Sequence, residues 1–340
     1  MTDRRDNGMS LLVTGGAGYV GSQVVRALVA AGHRVVVLDN LSAGHAAAVS
    51  PGARLVVGDL EDGRLLDDLF GQVKFDGVLH FAAFIEVGES VVDPLKFYHN
   101  NVGNSVRLLS AMQTHEVRRL VFSSTCAIYG LPEVMPINEE QAANPASPYA
   151  RAKLAVEWAI QDSASAWGLG SICLRYFNAA GASGDGTIGE DHHPETHLIP
   201  NVLFVALGKQ REVNVFGTDY DTRDGTCVRD YVHVEDLAAA HVRAIEAIEP
   251  GEARAYNAGT GHGATVREVI AVSRKVTGHA IPVVEGPRRA GDVPVLCADP
   301  KKIQRELGWS CRYKALEEIV ASAWAWHRSH PHGFGDRPAR

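Results

Sequence analysis

The sequence predicts an α/β protein with a doubly wound parallel sheet, and three observations carry that prediction. Short β-branched segments alternate with helical patterns through the first half of the 340-residue chain. Most of these segments are apolar on both faces, as a parallel sheet covered by helices requires. A glycine-rich turn follows the first segment, which is typical of a Rossmann-like sheet that binds ligands at the carboxyl ends of its strands.

The elements of the first half follow from these patterns in order. Strands are expected at LLVTG, RVVVLD, ARLVVGD, DGVLHFAA, RRLVFSS and SICLRYFN. Helices are expected between them, near 20–31, 62–70, 93–114 and 147–167. Beyond residue 180 a long polar segment, GASGDGTIGEDHHPETH, is more typical of a functional loop than of a linker.

The second half of the chain shows a looser pattern. We expect a helix at 197–208, strands at VNVFG and AYNAG, a helix at VEDLAAAHVRAIEAI, and two helices near 265–276 and 315–328. The sequence therefore predicts two domains. A Rossmann domain covers 9–180 with returning segments near 225–260, and a smaller C-terminal lobe is formed mainly by 181–330.

Composition and charge restrict the class of protein. The formal net charge of -7 argues against general nucleic-acid binding, so an anionic ligand would need a local cluster of arginines. No segment is long and apolar enough for a bilayer, and the N-terminus lacks the pattern of a secretion signal. The five scattered cysteines include no CxxC pair, which favours a reducing compartment. We expect a cytoplasmic protein without a membrane partner.

A dinucleotide site is predicted between the first two strands. Gly15, Gly18 and Gly21 allow a tight turn and a close backbone approach to a pyrophosphate at a helix N-terminus. Asp39 closes the second strand, where a carboxylate accepts from ribose hydroxyls and repels a 2′-phosphate, so NAD is favoured over NADP. Its alternative role is to cap a turn. Asp59 follows the third strand and could reach the adenine or cap the helix at 62.

Tyr149 and Lys153 lie one helical turn apart in SPYARAKLAVEW, so their side chains share a face. A free phenol has a pKa of about 10 and is a poor base at neutral pH. A neighbouring ammonium and the positive nicotinamide ring would stabilise the phenolate, so that Tyr149 could take a proton from a substrate hydroxyl. Thr125, at the end of the fifth strand, could hold or relay that proton.

The glycine turn, the SST segment at 123–125 and Tyr149-x-x-x-Lys153 resemble the extended short-chain dehydrogenase/reductase superfamily. Further segments look like the UDP-glucose 4-epimerase family: HFAAFIEVGESV, FYHNNVGNSVRLL, FSSTCAIYG, SPYARAKLAVEW, LRYFNAAGA, HLIPNVL, VFGTDYDTRDGTCVRDYVHVEDLAAAH, YNAGTG and RRAGDVP. This resemblance covers about residue 10 to 328, and several of its motifs are specific to that branch.

The resemblance implies an NAD-dependent isomerase of carbohydrate metabolism that interconverts UDP-glucose and UDP-galactose. It implies a transient 4-keto intermediate, with Tyr149 as the base and a permanently bound NAD as the hydride carrier, and a smaller lobe that binds the nucleotide sugar. Relatives form homodimers through two helices of each subunit, here at 93–114 and 147–167.

The site residues carried over by resemblance form three sets. The catalytic set is Tyr149, Lys153 and Thr125. The cofactor set is Gly15, Gly18, Tyr19, Val20, Gly21, Asp39, Asn40, Asp59, Leu60, Phe81, Ala82, Ala83, Asn100, Ser123, Tyr149, Lys153 and Tyr176. The substrate set is Thr125, Phe177, Asn178, His197, Leu198, Asn214, Phe216, Arg229, Arg289, Asp292 and Leu296. The two arginines would neutralise the diphosphate, and Asp292 would bond the uridine ribose.

Several alternatives stay open. Dehydratases of the superfamily carry an acid pair where this chain has Cys126 and Ala127, which weighs against dehydration. Ile85 and Leu296 depart from the commoner residues near the sugar and leave its identity open among hexoses, N-acetylhexosamines, pentoses and uronates. A non-catalytic NAD-binding sensor is a further alternative, although such proteins typically lose the tyrosine or the lysine.

The histidines of HHPETH were considered as metal ligands. His192, His193 and His197 match no recognised ligand spacing, and polar loop histidines are common. The sequence therefore predicts no metal site.

Overall fold

The computed structural model describes residues 8–289 and 292–336. The chain divides into two compact units. The first contains the chain up to Ile128, Ala143–Arg175 and Ala238–Tyr256. The second contains Tyr129–Ala142, Tyr176–Leu237 and the chain from Asn257 onward. The predicted domain limits stay a prediction; the compact units differ from them chiefly in placing 129–142, 176–180 and 225–237 in the second unit.

Strands and helices alternate through the first half of the chain. They are β1 (Ser10–Thr14), α1 (Tyr19–Ala30), β2 (Arg34–Asp39), β3 (Ala53–Val57), α2 (Gly63–Gln72), β4 (Gly77–His80), α3 (Val87–Val92), α4 (Pro94–Phe97), α5 (Asn104–Thr114), β5 (Arg119–Thr125), α6 (Pro148–Trp167) and β6 (Gly170–Tyr176). A π-helical segment, Tyr98–Gly103, joins α4 to α5, and short 3₁₀ turns lie at Ala46–Ala48 and Cys126–Tyr129.

The second half contains shorter strands. Its elements are β7 (Asn178–Ala180), α7 (Leu198–Ala206), β8 (Val213–Phe216), β9 (Val228–His233), α8 (Val234–Glu246), β10 (Ala253–Ala258), β11 (Gly263–Thr265), α9 (Val266–Thr277), β12 (Val283–Gly286), β13 (Val295–Leu296), α10 (Lys301–Leu307) and α11 (Leu316–Ser329).

The central sheet has seven strands in the order β10-β6-β5-β4-β1-β2-β3. The pairs around β1, which link it to β2 and β4, are parallel, as are β2–β3 and β4–β5. Apart from β10, this is the strand order of a dinucleotide-binding sheet, in which the direction of winding reverses beside β1. Both faces of β1 and β4 are buried, as their continuous apolar sequences predict. The predicted Rossmann-like fold is confirmed.

Helix α6 begins and ends where its sequence predicts. The Ser147 hydroxyl accepts a hydrogen bond from the backbone N–H of Ala150 at 3.2 Å, and Pro148 occupies the first helical position. The helix ends at Gly168, whose φ of 75° suits glycine. These limits place Tyr149 and Lys153 in the first two turns of the helix.

The second unit has its own small sheets and core. Strand β9 lies between β11 and β13 and also pairs in parallel with β7, whereas β8 pairs with β12. Helices α7, α9 and α11 pack together over buried side chains that include Leu203, Val269 and Val320. The sheet around β9 positions the predicted substrate residues of this unit.

The sequence analysis did not predict helices α3 and α10 or strands β7, β9, β11, β12 and β13. Each has seven residues or fewer, which leaves little room for a clear periodic pattern. The predicted helix at 93–114 is divided into α4, the π-helical segment and α5. Across 8–289 and 292–336, no helix combines the length and the apolar character needed to cross a membrane.

Candidate active site

The turn after β1 requires glycine at two of its three predicted positions. Gly15 has a φ of +72°, and a Cβ there would lie 2.5 Å from the backbone nitrogen of Ala82. A Cβ on Gly21 would lie 2.2 Å from the carbonyl oxygen of Gly15. At Gly18 a Cβ would make only an ordinary contact, 3.4 Å from the same oxygen. The packing of the turn therefore requires glycine at positions 15 and 21. Packing does not require it at position 18, where the glycine leaves the start of α1 open to a ligand.

Helix α1 starts immediately after Gly18, with Tyr19 and Val20 as its first residues. Gly18 provides no side-chain cap, so the first N–H groups of the helix are donors for an anion. Tyr19 is buried and Val20 is half-buried.

Asp39 joins the end of β2 to the glycine turn. Its Oδ2 accepts a hydrogen bond from the backbone N–H of Ala17 at 2.9 Å, and its Oδ1 accepts from that of Leu41 at 2.8 Å. Burial raises the pKa of the Asp39 carboxyl above its ordinary value, although both of these hydrogen bonds lower it. The bond to Leu41 is the turn cap considered as an alternative, and each oxygen retains a lone pair for a ribose hydroxyl.

Asn40 and Asp59 interact at the ends of neighbouring strands. The Asn40 amide donates to Oδ2 of Asp59 at 2.7 Å, and Oδ1 of Asp59 accepts from the backbone N–H of Glu61 at 2.8 Å. The cap of α2 is Asp62, whose carboxylate accepts from two backbone N–H groups of the first turn. The alternative in which Asp59 caps this helix is therefore wrong. Leu60 is buried beneath this corner.

The segment after β4 lies beside the glycine turn. The backbone N–H groups of Phe81 and Ala82 both donate to the carbonyl oxygen of Thr14, at 2.9 and 3.1 Å. Phe81 and Ala83 are half-buried. Asn100 donates to Oδ1 of Asn101 at 2.9 Å. The structure therefore brings Phe81 and Ala82 to the turn.

A buried hydrogen-bonded chain supports this region. The Thr14 hydroxyl lies 2.6 Å from Nδ1 of His80, whose Nε2 lies 2.8 Å from the Ser105 hydroxyl. The Ser105 hydroxyl in turn donates to the carbonyl oxygen of Asn101 at 2.6 Å. Burial and the Lys153 ammonium together lower the pKa of His80 to about 3, so the imidazole is neutral at physiological pH.

Lys153 is buried against the end of β5. Its Nζ donates to the carbonyl oxygen of Ser123 at 2.9 Å and lies 4.9 Å from the centre of the Phe122 ring. Only 3% of Lys153 is exposed. Burial lowers the pKa of its ammonium to about 7, against a raising effect of Glu157. A buried lysine with a strongly shifted pKa at a strand end is a feature typical of functional sites.

Glu157 is a site residue that the sequence analysis missed. It is buried, accepts a short hydrogen bond from the Ser124 hydroxyl, and pairs with Arg175 through two bonds of 3.1 and 2.6 Å. The bidentate pair fixes the position of the carboxylate, which raises the pKa of Lys153. The signal in the sequence was the i, i+4 spacing of Lys153 and Glu157.

Tyr149 and Thr125 complete the catalytic set predicted in the first unit. Tyr149 is half-buried in the first turn of α6, one turn before Lys153. Thr125 ends β5, two residues after Ser123, and its hydroxyl accepts from the backbone N–H of Ala127 at 3.2 Å. The contact between Lys153 and Ser123 thus brings the start of α6 to the end of β5. Ile85, which bears on substrate choice, is 39% exposed.

The second unit brings four predicted substrate residues together. Arg229 on β9 donates to the carbonyl oxygens of Val228 and Val293, at 2.9 and 2.7 Å, and its guanidinium lies 3.9 Å from Asp292. Asp292 also accepts from Nε of Arg289 at 3.1 Å. The Arg289 guanidinium stacks 5.0 Å above the ring of Phe216, which is 40% exposed. We name Phe216, Arg229, Arg289 and Asp292 the arginine cluster.

The remaining substrate residues lie near this cluster or on the neighbouring strand β7. Leu296 pairs directly with Arg229 in the β13–β9 register, and Asn178 pairs with Tyr231 in the β7–β9 register. Asn214 lies exposed on β8, two residues before Phe216. Tyr176 ends β6 half-buried, and Phe177 is buried.

His197 and Leu198 lie at the start of α7. Leu198 is the first residue of the helix and packs against its core. Nδ1 of His197 lies 2.5 Å from Oε1 of Glu190, so this predicted substrate residue is held by a buried carboxylate. No residue pattern in the sequence analysis had linked the two.

These features define a class of protein: a Rossmann-fold dinucleotide-binding protein with a Tyr-x-x-x-Lys pair at the end of β5. Comparison with known families is consistent with that class. The NAD dependent epimerase/dehydratase family model matches residues 11–259. The chain belongs to this family.

Similar proteins share nearly its whole length. It is 49% identical over 330 residues to UDP-glucose 4-epimerase of Lacticaseibacillus casei, covering 97% of this chain and all of the relative. It is 51% identical over 327 residues to that of Streptomyces lividans, covering 96% and 98%. The crystal structure of UDP-glucose 4-epimerase from Bifidobacterium longum with NAD+ and UDP superimposes with a TM-score of 0.92 at 38% identity, covering 95% and 99%. The resemblance stated from the sequence is confirmed.

Proposed function

We propose that this protein is an NAD-dependent UDP-sugar 4-epimerase and therefore an isomerase. The observation that carries the proposal is the burial of Lys153 against β5, one turn after Tyr149, in a chain about half identical to named UDP-glucose 4-epimerases. The proposed substrates are UDP-glucose and UDP-galactose.

The residues of the first unit fit NAD. Gly15 and Gly21 leave no room for a side chain beside the turn, the start of α1 has no side-chain cap, and Asp39 offers a carboxylate where a ribose would lie. Lys153 and Ser123 would border the nicotinamide end. When bound, NAD would supply the reversible oxidation of the sugar at C4 to a ketone.

Tyr149 would act as the general base. The sugar's 4-hydroxyl would lose its proton to the phenolate oxygen, and the 4-oxygen would regain that proton from the phenol once the ketone has been reduced on its opposite face. Lys153 in its ammonium form favours the phenolate electrostatically, and Glu157 favours that ammonium. Thr125, at the end of β5, would hold the proton by a second hydrogen bond.

The arginine cluster would bind the nucleotide. Arg229 and Arg289 present two permanent positive charges, as a diphosphate requires, and Asp292 orients both guanidinium groups. Firm binding of the UDP portion would leave the sugar ring free to present either face. This freedom is what a 4-epimerase needs, because the C4 hydrogen is removed from one face and returned to the other.

The sugar itself is the finer part of the proposal. Leu296 is paired with Arg229, so its side chain would border the nucleotide-sugar site, and its size is intermediate between tyrosine and a small residue. A structural neighbour from Campylobacter jejuni is named as a UDP-Glc/GlcNAc 4-epimerase. Leu296→Tyr should therefore reduce activity on N-acetylated sugars more than activity on UDP-glucose, and Leu296→Ala should do the reverse.

A panel assay on the NAD-loaded protein tests the proposal. UDP-glucose, UDP-galactose, their N-acetyl forms, UDP-pentoses and UDP-uronates are each incubated with the enzyme, and the products are identified by chromatography and mass spectrometry. Interconversion of UDP-glucose and UDP-galactose at unchanged mass is expected. Loss of water would favour a dehydratase, and turnover of none of them by a folded, NAD-loaded protein would favour a sensor.

Tyr149→Phe tests the role of the phenol hydroxyl, because it removes that group and keeps the ring. Removal of one hydroxyl should reduce kcat by about 100-fold or more, because general base catalysis contributes on that order. Bound NAD and the melting temperature should be unchanged, since the ring remains. Unchanged turnover in this variant would refute the proposed base.

We also propose that the protein forms a homodimer and acts in the cytoplasm on small molecules, without a nucleic-acid or membrane partner. Support for the dimer comes from exposed apolar side chains on α3, α4 and α6. Val92 is 84% exposed, Leu95 is 76% exposed and Trp158 is 59% exposed, and α3 and α4 both contact α6. Trp158→Glu should convert a dimer to a monomer in light scattering; a monomeric wild type would contradict the dimer.

A further inference from the structure

Four side chains converge in the loop between β7 and α7, within the second unit. They are Glu190, His192, Glu195 and His197. One nitrogen or oxygen atom from each lies within 4.8 Å of the corresponding atoms of the others. We name these four residues the loop cluster.

The spacing of the loop cluster is close to that of metal ligands. Zinc bonds to nitrogen and oxygen are about 2.0 to 2.1 Å, so neighbouring ligand atoms of a tetrahedral site lie about 3.3 Å apart. Nδ1 of His192 lies 3.3 Å from Oε1 of Glu190 and 3.8 Å from Oε2 of Glu195. Nδ1 of His197 lies 3.5 Å from Oε1 of Glu195. For a tetrahedral site the 2.5 Å separation of His197 and Glu190 would have to open.

The two carboxylates are buried side by side. The side chains of Glu190 and Glu195 are only 4% and 5% exposed. Oε1 of Glu195 accepts hydrogen bonds from the backbone N–H groups of Thr196 and His197, each at 2.8 Å. Oε2 of Glu195 is buried without a hydrogen-bond partner in the described part of the chain and lies on the side of His192. A buried, unpartnered carboxylate oxygen beside a second carboxylate is costly unless its charge is neutralised, and a cation bound between the two carboxylates would do this.

We propose that the loop cluster binds one divalent cation of the zinc class. Two imidazole nitrogens and two carboxylate oxygens form a ligand set that suits zinc, and the two negative charges balance the cation. The rings of His192 and His197 are 5.4 Å apart and inclined by 62°, so the two imidazoles approach one point from different directions. The proposal goes beyond the epimerase function and does not depend on it.

The cation would be structural. It would close the segment from Glu190 to His197 and fix the residue that precedes α7, whose first residue is Leu198. A closed four-ligand site provides folding free energy directly, because the unfolded chain does not hold the ligands in place.

Two neighbours in the same segment lie outside the cluster. Oδ2 of Asp191 accepts from the backbone N–H of Phe334 at 3.0 Å, which occupies its carboxylate elsewhere. The side chain of His193 is exposed and belongs to none of the ion pairs of the cluster. His193 is therefore a matched control for His192.

The experiment measures metal content on the full-length protein, prepared without a polyhistidine tag. The protein is stripped with EDTA, reloaded with Zn²⁺, desalted, and measured by inductively coupled plasma mass spectrometry. The variants are Glu195→Gln and His192→Asn, with His193→Asn as the control. Circular dichroism and bound NAD, measured in parallel, report whether each variant is folded.

Wild type and His193→Asn should hold about one Zn²⁺ per chain, and each ligand variant should bind at least about tenfold more weakly. Zn²⁺ should also raise the melting temperature of stripped wild type, without any nucleotide sugar present. The proposal is overturned if stripped wild type takes up less than about 0.2 equivalents, or if both ligand variants bind as wild type does.

A second measurement uses wild type alone and so does not depend on how the variants fold. Co²⁺ added to the stripped protein should give the visible absorption of a tetrahedral complex with nitrogen and oxygen ligands, and Zn²⁺ should displace it. A spectrum identical to aqueous Co²⁺ would show that the loop cluster is a hydrogen-bonded network of histidines and glutamates.

Discussion

Lys153 donates a hydrogen bond from Nζ to the carbonyl oxygen of Ser123 across 2.9 Å, and this one contact ties the start of α6 to the end of β5. The contact also removes the ammonium from water. Burial lowers its pKa to about 7, so its charge at neutral pH depends on its neighbours. From the sequence, this lysine is expected to stabilise the phenolate as an ammonium. In the structure, Glu157 raises the pKa of Lys153 and so favours its charged form.

The pKa of Lys153 predicts a pH dependence of folding. Between pH 7 and about pH 10 the unfolded chain binds a proton at this lysine that the folded chain has lost. The free energy of unfolding should therefore rise with pH, by up to about 1.4 kcal/mol per pH unit from this group. Denaturant unfolding of wild type and Lys153→Met between about pH 7 and about pH 9 checks this. Equal slopes in the two proteins would contradict it.

Replacement of Glu157 should destabilise the fold strongly. Glu157→Gln leaves the Arg175 guanidinium, only 14% exposed, without its charged partner. Breaking one side of a buried ion pair costs about 3 to 5 kcal/mol. The control is Glu89→Gln, which breaks the exposed 2.6 Å pair with Lys96 and should cost about 1 kcal/mol or less. Denaturant midpoints that shift equally in both variants would refute the structural role of Glu157.

Gly15→Ala should abolish stable NAD binding. The new Cβ would lie 2.5 Å from the backbone nitrogen of Ala82, and φ would have to stay at +72°. The control is Gly88→Ala in α3, where a Cβ would meet no atom within 4 Å. Bound NAD is measured by absorbance after denaturation of the purified proteins. Full NAD content in Gly15→Ala would show that the turn relaxes.

The two adjacent arginines should differ in their effect on nucleotide binding. Arg289→Ala removes a guanidinium of the arginine cluster and should weaken UDP binding by about tenfold or more, since charge-assisted hydrogen bonds are worth about 1.5 to 3 kcal/mol. Arg288 pairs with Asp219 at 2.7 Å and stacks over Tyr220. Arg288→Ala should leave the UDP affinity within about twofold. Calorimetry with UDP measures both, and equal losses would place Arg288 in the site as well.

Local patterns in the sequence were sufficient for much of the fold and for the first half of the site. Gly15, Asp39 and the pair of Tyr149 and Lys153 each lie within a few residues of the pattern that identifies them. Other contacts of the fold join residues that are distant in sequence. Glu157 and Arg175 are 18 residues apart, and Asp230 on β9 accepts from the backbone of Ala298, 68 residues away. Such pairs are formed by tertiary packing, and no local spacing encodes them.

The loop cluster shows the same limitation at shorter range. Glu190 and His197 are seven residues apart in a segment that is neither helix nor strand, so no regular period brings them together. The irregular path of the loop does so. The histidines of HHPETH were considered without the two glutamates that approach them, which is why the sequence predicted no metal site there.

The hydrogen bonds that link the side chains of Thr14, His80 and Ser105 all donate in one direction. Because Ser105 gives its only proton to Asn101, it must receive one from Nε2 of His80, and Nδ1 must then receive the proton of Thr14. Only one neutral tautomer satisfies this order, and a second ring proton would force the Thr14 hydroxyl to turn and accept a hydrogen bond instead of donating one. The pKa of His80 is lowered to about 3 in the folded protein. Between that pH and the ordinary pKa of histidine, the unfolded chain therefore binds a proton that the folded protein does not bind. The hydrogen bonds of this chain therefore keep one direction in mild acid. The free energy of unfolding falls as the pH drops from the ordinary pKa of histidine towards 3.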